Sequence, residues 1–225
     1  MKPRVTLEQA RLENGSTVAL NEHDGRLYVT VDGEQTSGPM TRHNETAMAA
    51  MACEPFRPVR QPTIWMAGLG TGAMLAGVRQ TLLQKRATLY VAEPCGDLRK
   101  WLLTHLPEPD TLLDPCLKME TNPGADGLMA HADELHAILM HTDTAPLLDR
   151  SRQLFEDRKW LAAAYNSLMT GGLIAIGSSR PVPGLEEKLR RAGFNTAIHE
   201  IDALPNSKKP KKSFLLLGRK GKYSS

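Results

Sequence analysis

The chain has 225 residues, 41% hydrophobic and 24% charged, with a net charge of +3. That is enough apolar material for one α/β domain with an added element, and too little net charge for a strong global field. Its three cysteines, Cys53, Cys95 and Cys116, are far apart and show no CxxC spacing. They argue against a disulfide framework and a thiolate metal site and fit a reducing cytoplasm. No apolar stretch is long enough to span a bilayer and the N-terminus has no signal-peptide core, so a cytoplasmic location is expected.

In chain order, Ser16-Thr17-Val18-Ala19-Leu20 and Arg26-Leu27-Tyr28-Val29-Thr30-Val31 read as two strands. Asp24-Gly25 between them is a hairpin signal, and Asp32-Gly33 closes the second run. So small a hairpin must pack on the rest of the chain or on a second subunit. Arg42-His43-Asn44-Glu45 opens an Ala- and Met-rich helix that ends before Pro55. Asn44 is placed as its N-cap; the same polar cluster is alternatively a lining of a substrate cleft. Pro55 to Pro62 is a proline-punctuated linker, so the expected division is residues 1–54, hairpin and helix, then 55–225, the main domain.

Beyond the linker, strands are predicted at about 63–67, 87–92, 116–120, 135–140 and 173–176. Helices are predicted near 72–84, 96–105, 126–131, 152–169 and 184–192. Gly171-Gly172 is read as the stop of the fourth of these helices. Such alternation gives a parallel sheet with helices on both faces. Two last strands, 196–201 and 213–217, have no helix between them and must form a hairpin at the sheet edge.

The main domain opens on Ile64-Trp65-Met66-Ala67-Gly68-Leu69-Gly70-Thr71-Gly72-Ala73. An apolar strand stops at three glycines spaced by two and passes into a helix. The glycines permit a tight turn, a close ligand approach and close helix packing. The next strand ends at Glu93, 25 residues after Gly68. A carboxylate at a strand tip is placed to accept hydrogen bonds from both hydroxyls of a ribose. Turn and acid together read as a nucleoside site built from Gly68, Gly70, Thr71, Gly72 and Glu93. His131, His136 and His141 share neither helical nor strand spacing, so no metal site is expected.

This pattern resembles the spermidine synthase group of polyamine aminopropyltransferases, particularly its short bacterial relatives. The likeness covers nearly the whole chain: the hairpin, Val31-Asp32-Gly33, His43-Asn44-Glu45, the glycine turn, Glu93, the segment after the fourth strand, Gly171-Gly172 and Phe214 to Lys220. It implies a Rossmann-like, doubly wound sheet of the adenosylmethionine-dependent methyltransferase type with a small N-terminal β-hairpin. It also implies an adenosylmethionine or decarboxylated adenosylmethionine donor, a small amine acceptor, no metal, no membrane, and a homodimer as a family-level expectation.

Departures from the family concentrate in the polyamine half. Thr71 stands where the family carries an aspartate that grips the aminopropyl amine. His141 stands where it has the aspartate thought to act as base, and Asp143 lies near its second acid. His43 replaces a tyrosine, and Ser178-Ser179-Arg180-Pro181 replaces a tyrosine-bearing loop. His141 and Asp143 are therefore the catalytic candidates, or plain loop residues. His43, Asn44 and Glu45 are the substrate-binding candidates. Asn122 or Asp126 is the adenine candidate, and Asp126 equally reads as a helix N-cap. The basic run 207–212 reads as a solvated turn, and with few aromatics nearby it argues against nucleic acid.

Three readings compete with aminopropyl transfer. One is a small-molecule methyltransferase, which uses the same turn and acid. One is a non-catalytic nucleoside-binding or scaffold protein. The last is a nicotinamide dehydrogenase, because Gly68-x-Gly70-x-x-Ala73 also fits that fingerprint; the terminal strand pair argues against it.

Overall fold

The computed structural model describes residues 3–146, 153–202 and 212–221. The N-terminal part is larger than the predicted hairpin. Strands β1 (Val5–Arg11), β2 (Thr17–His23), β3 (Arg26–Val31) and β4 (Glu34–Ser37) form an antiparallel sheet in the order β1-β2-β3-β4. Asp24-Gly25 turns β2 into β3, as the sequence predicts. Asp32-Gly33 does not simply end β3 but makes a second two-residue turn, with φ of 50° and 83°, pairing Val31 with Glu34.

Helix α1 (Pro39–Cys53) starts earlier than expected, with Gly38 and not Asn44 at its N-cap. Pro39 suits the first helical position, and the Thr41 hydroxyl donates to the Gly38 carbonyl at 3.0 Å. Gly38 itself lies so near the Tyr28 ring that a Cβ there would fall 2.7 Å from Cδ1. The earlier start puts Asn44 and Glu45 on the buried face of α1.

The main sheet contains β5 (Thr63–Ala67), β6 (Thr88–Ala92), β7 (Leu117–Glu120), β8 (Leu135–His141), β9 (Leu168–Ser178), β10 (Asn195–Asp202) and β11 (Lys212–Arg219). Its order is β10-β11-β9-β8-β5-β6-β7. The five central and right-hand strands pair in parallel, while β11 is antiparallel to both β9 and β10 and makes the expected terminal hairpin. The helices between them are α2 (Ala73–Thr81), α3 (Leu98–His105), α4 (Ala125–Met129), α5 (Arg158–Ser167) and α6 (Leu185–Arg191).

Two apolar layers clothe this sheet. One holds Trp65, Ile138, Trp160, Leu168 and Phe194. The other runs unbroken from Val18, Leu20 and Val29 of the small sheet through Met48 of α1 to Ile64, Leu89 and Leu139. Small sheet and large sheet thus share a core. Gly171-Gly172 lies inside β9 and does not precede it. Gly171 takes φ of 83°, and the pairing with β8 shifts register between Leu135 and Ala137, so the glycines absorb an irregularity within the strand.

Of the basic C-terminal run, residues 207–211 lie outside the described residues. Lys212 pairs with Glu200, and Lys220 donates to Asp133 at 2.8 Å. Among the described residues no helix is long and apolar enough to cross a membrane.

β5, β6 and β7 run outward in one direction, and the chain then returns to place β8 on the other side of β5. The loops leaving β5 and β8 therefore diverge, and a crevice opens at their carboxyl ends.

Candidate functional site

A cleft of about 350 Å³ occupies that crevice. Gly70, Glu93, Asp143 and Thr144 line it from the large sheet, and Val29 and Val31 from the small one. A second cleft of about 630 Å³, lined by Arg11, Cys95, Asp97 and Asn122, continues past the ends of β6 and β7. Leu12, Asn14 and Pro94 border both. Together the two clefts make one elongated space with Glu93 on its wall.

Glu93 sits where β6 ends, as predicted. Its Oε2 accepts from the Leu69 N–H at 2.9 Å and its Oε1 from the Cys95 N–H at 3.0 Å. These two bonds fix the carboxyl against the glycine turn and leave each oxygen a lone pair for a further donor. Burial pushes the Glu93 pKa up, and the two N–H groups pull it back.

The glycine turn bends as predicted, with φ of 86°, 52° and 82° at Gly68, Gly70 and Gly72. Its close contacts are with the protein itself. A Cβ on Gly68 would lie 2.9 Å from the Thr144 carbonyl oxygen, and one on Gly70 would lie 2.7 Å from Ser37 Oγ. Only Gly72, the N-cap of α2, faces open space among the three. Thr71 is buried, and Ser37 Oγ accepts its N–H at 3.0 Å and meets its hydroxyl at 3.1 Å.

Ser37 was not singled out from the sequence. It ties the end of β4 to the turn after β5. Ser37→Ala leaves the buried Thr71 N–H and hydroxyl without this partner. The expected cost is about 1–3 kcal/mol in urea-unfolding free energy.

Behind the loop after β8 lies a polar group inside the fold. His141 is fully buried, its ring seated over Gly177, where a Cβ would fall 2.8 Å from His141 Cδ2. His141 Nδ1 accepts from the Asp143 N–H at 3.4 Å and lies 4.0 Å from Asp143 Oδ2. Burial lowers the His141 pKa, against the opposing pull of Asp143. Asp143 is partly exposed on the cleft, and its carboxylate accepts from Ser179 Oγ and, at 3.3 Å, from Thr142 Oγ1. Asn44 and Glu45 are buried on α1.

The remaining candidates lie elsewhere. His43 is exposed on α1. Asn122 borders the second cleft, with its Oδ1 accepting from the Gly124 N–H at 2.9 Å. Asp126 is exposed in the first turn of α4, whose N-cap is Gly124. His131 bonds Glu120 at 2.8 Å, and His136 Nδ1 accepts from the Thr63 N–H at 3.1 Å, so the three histidines stand in three separate settings. The thiols of Cys53, Cys95 and Cys116 are free and buried, and burial pushes Cys53 up to about 12 and Cys95 to about 11.

No family model matches the sequence, and no curated protein matches it either. Solved structures do. A spermidine synthase in complex with the transition-state analogue AdoDATO superposes with a TM-score of 0.72 at 15% identity, covering 96% of this chain and 74% of that one. A probable spermidine synthase from Corynebacterium glutamicum gives 0.64 at 14% identity, over 100% of this chain and 83% of that one. A predicted O-methyltransferase from Agrobacterium tumefaciens gives 0.54 at 18% identity, over 80% and 81%. At these identities the likeness is one of architecture: the chain is a divergent example of the fold seen in spermidine synthases and Rossmann-like methyltransferases.

Proposed function

We propose that the chain is a transferase whose donor is an adenosine sulfonium, adenosylmethionine or its decarboxylated form, and whose acceptor is a small nucleophile, an amine first of all. The observation that carries this reading is the Glu93 carboxyl. It is fixed by two N–H groups at the tip of β6, and it borders a cleft that continues into a second one. Its remaining lone pairs suit ribose hydroxyls. The second cleft, with Asn122 on its border, suits the adenine. The first is left for the sulfonium and the acceptor.

Asp143 lines the first cleft and is the group placed to take a proton from an ammonium or to hold a positive charge. His141 lies behind it as an orienting base. Thr71 supplies no carboxylate at the glycine turn, and Ser37 already engages its hydroxyl. The grip on a polyamine is therefore weaker than in the family the chain resembles. That same loss favours the second reading, a small-molecule methyltransferase, which needs no acid at Thr71.

The test is thermal unfolding with methylthioadenosine, adenosylmethionine, its decarboxylated form and NAD. A ligand at about 100 times its Kd stabilises by roughly 2.7 kcal/mol. Stabilisation by the three adenosine-sulfur compounds is expected; stabilisation by NAD alone ends the proposal. Asp143→Asn should abolish transfer while methylthioadenosine binding persists. Unchanged turnover in that variant removes Asp143 from the mechanism, and binding with no turnover of any acceptor in the unaltered protein leaves a nucleoside-binding scaffold.

A further inference from the structure

Among the described residues, three buried side-chain atoms on α1 and at the end of β8 have no hydrogen-bond partner: Asn44 Oδ1, Glu45 Oε1 and His141 Nε2. Glu45 is the most demanding, a carboxyl 1% exposed on the inner face of α1. The Thr41 side chain, the Met74 N–H and the Thr144 side chain approach it, and the Asp143 charge acts on it. Thr144 and Asp143 line the cleft, while Glu45 stands one layer behind. We propose that Glu45 is a proton-exchanging positioning residue for the cationic part of the ligand: a positive charge arriving at Asp143 expels the Glu45 proton to solvent, and the carboxylate left behind holds that charge from the second layer. This rests on the reading of the cleft as a sulfonium and amine site.

The physical reasons are these. Burial, the largest influence, pushes the Glu45 pKa up to about 7, and the negative charge of Asp143 adds to it. The hydroxyls and the Met74 N–H at the start of α2 work in the other direction. With Asp143 unpaired, a second carboxylate beside it is disfavoured; with a cation on Asp143, it is favoured. His141 is the other titratable group at this point, and burial lowers its pKa against the opposing pull of Asp143. Among the described residues, Asp143 is the charged group that acts on Glu45. α2 offers a backbone N–H, β9 offers Gly177, and β10 and β11 give Ile201, Leu215 and Leu217 to the shared core.

Titration calorimetry at about pH 7, in phosphate and again in Tris, reads the proton count from the difference in heat between buffers. Decarboxylated adenosylmethionine is expected to release protons on binding. Methylthioadenosine, which lacks the positive sulfur and amine, is expected to bind with none. Glu45→Gln, which keeps the side chain's shape, should bind the decarboxylated donor without release. In the unaltered protein, infrared difference spectra should show the protonated-carboxyl carbonyl band vanish on binding the cation, which needs no variant to fold. Binding of both compounds without proton exchange, or release that persists in Glu45→Gln, overturns this inference alone. Failure of both compounds to bind overturns the cleft assignment, and this inference with it.

Discussion

Glu45→Gln is expected to stabilise the protein by about 3 kcal/mol at alkaline pH and to change almost nothing near pH 4. Burial raises the Glu45 carboxyl from 4.5 to about 7 in the folded chain. Between those values the unfolded chain has already lost its proton while the folded chain keeps it. Stability therefore falls as pH rises through that window, and the deficit is complete above the folded pKa. The amide carries no charge to desolvate, so it escapes the deficit. Thermal melts of both proteins across that range check this: parallel curves at all pH values refute it.

Trp65→Ala is expected to destabilise by about 3–5 kcal/mol. Trp65 is fully buried in β5, the middle of the five parallel strands, between Tyr90 of β6 and Ile138 of β8 in the pairing register. Its indole also donates to Glu120 Oε2 at 3.1 Å, while Glu120 Oε1 bonds His131 at 2.8 Å. Truncation opens a cavity in the layer facing α5 and releases one arm of that network. Trp65→Phe should cost less, about 1–3 kcal/mol, because one ring still fills most of the site while the indole bond and the second ring are lost. Urea unfolding separates the two; equal losses would mean that the hydrogen bond, and not the packing, dominates.

The large sheet was legible because its strands are apolar runs set between helices with turn residues, and hydrophobic spacing carries that information locally. Strand β4 was not, because Glu34-Gln35-Thr36-Ser37 has no apolar alternation and becomes a strand only by pairing with β3. Gly171-Gly172 misled for a related reason. Glycines next to a helix read as a stop, yet here the ladder to β8 continues past them. In the site, Glu93 was legible from its place at a strand tip. Ser37 was not, since its role depends on Thr71, 34 residues away. The sequence grouped His43, Asn44 and Glu45 together, but their angular positions on the helix separate their fates. His43 faces solvent, while its two successors face the interior.

The Ser37 contact has a wider consequence. It pins the small sheet to the very turn that carries Gly70 and Thr71, and the shared apolar layer reinforces the joint. The two walls of the cleft are thereby prevented from hinging apart. An incoming molecule meets a socket already shaped for it, with little ordering left to do on arrival. On the transferase reading proposed above, acceptors are then told apart by how well each fills the space between these joined walls.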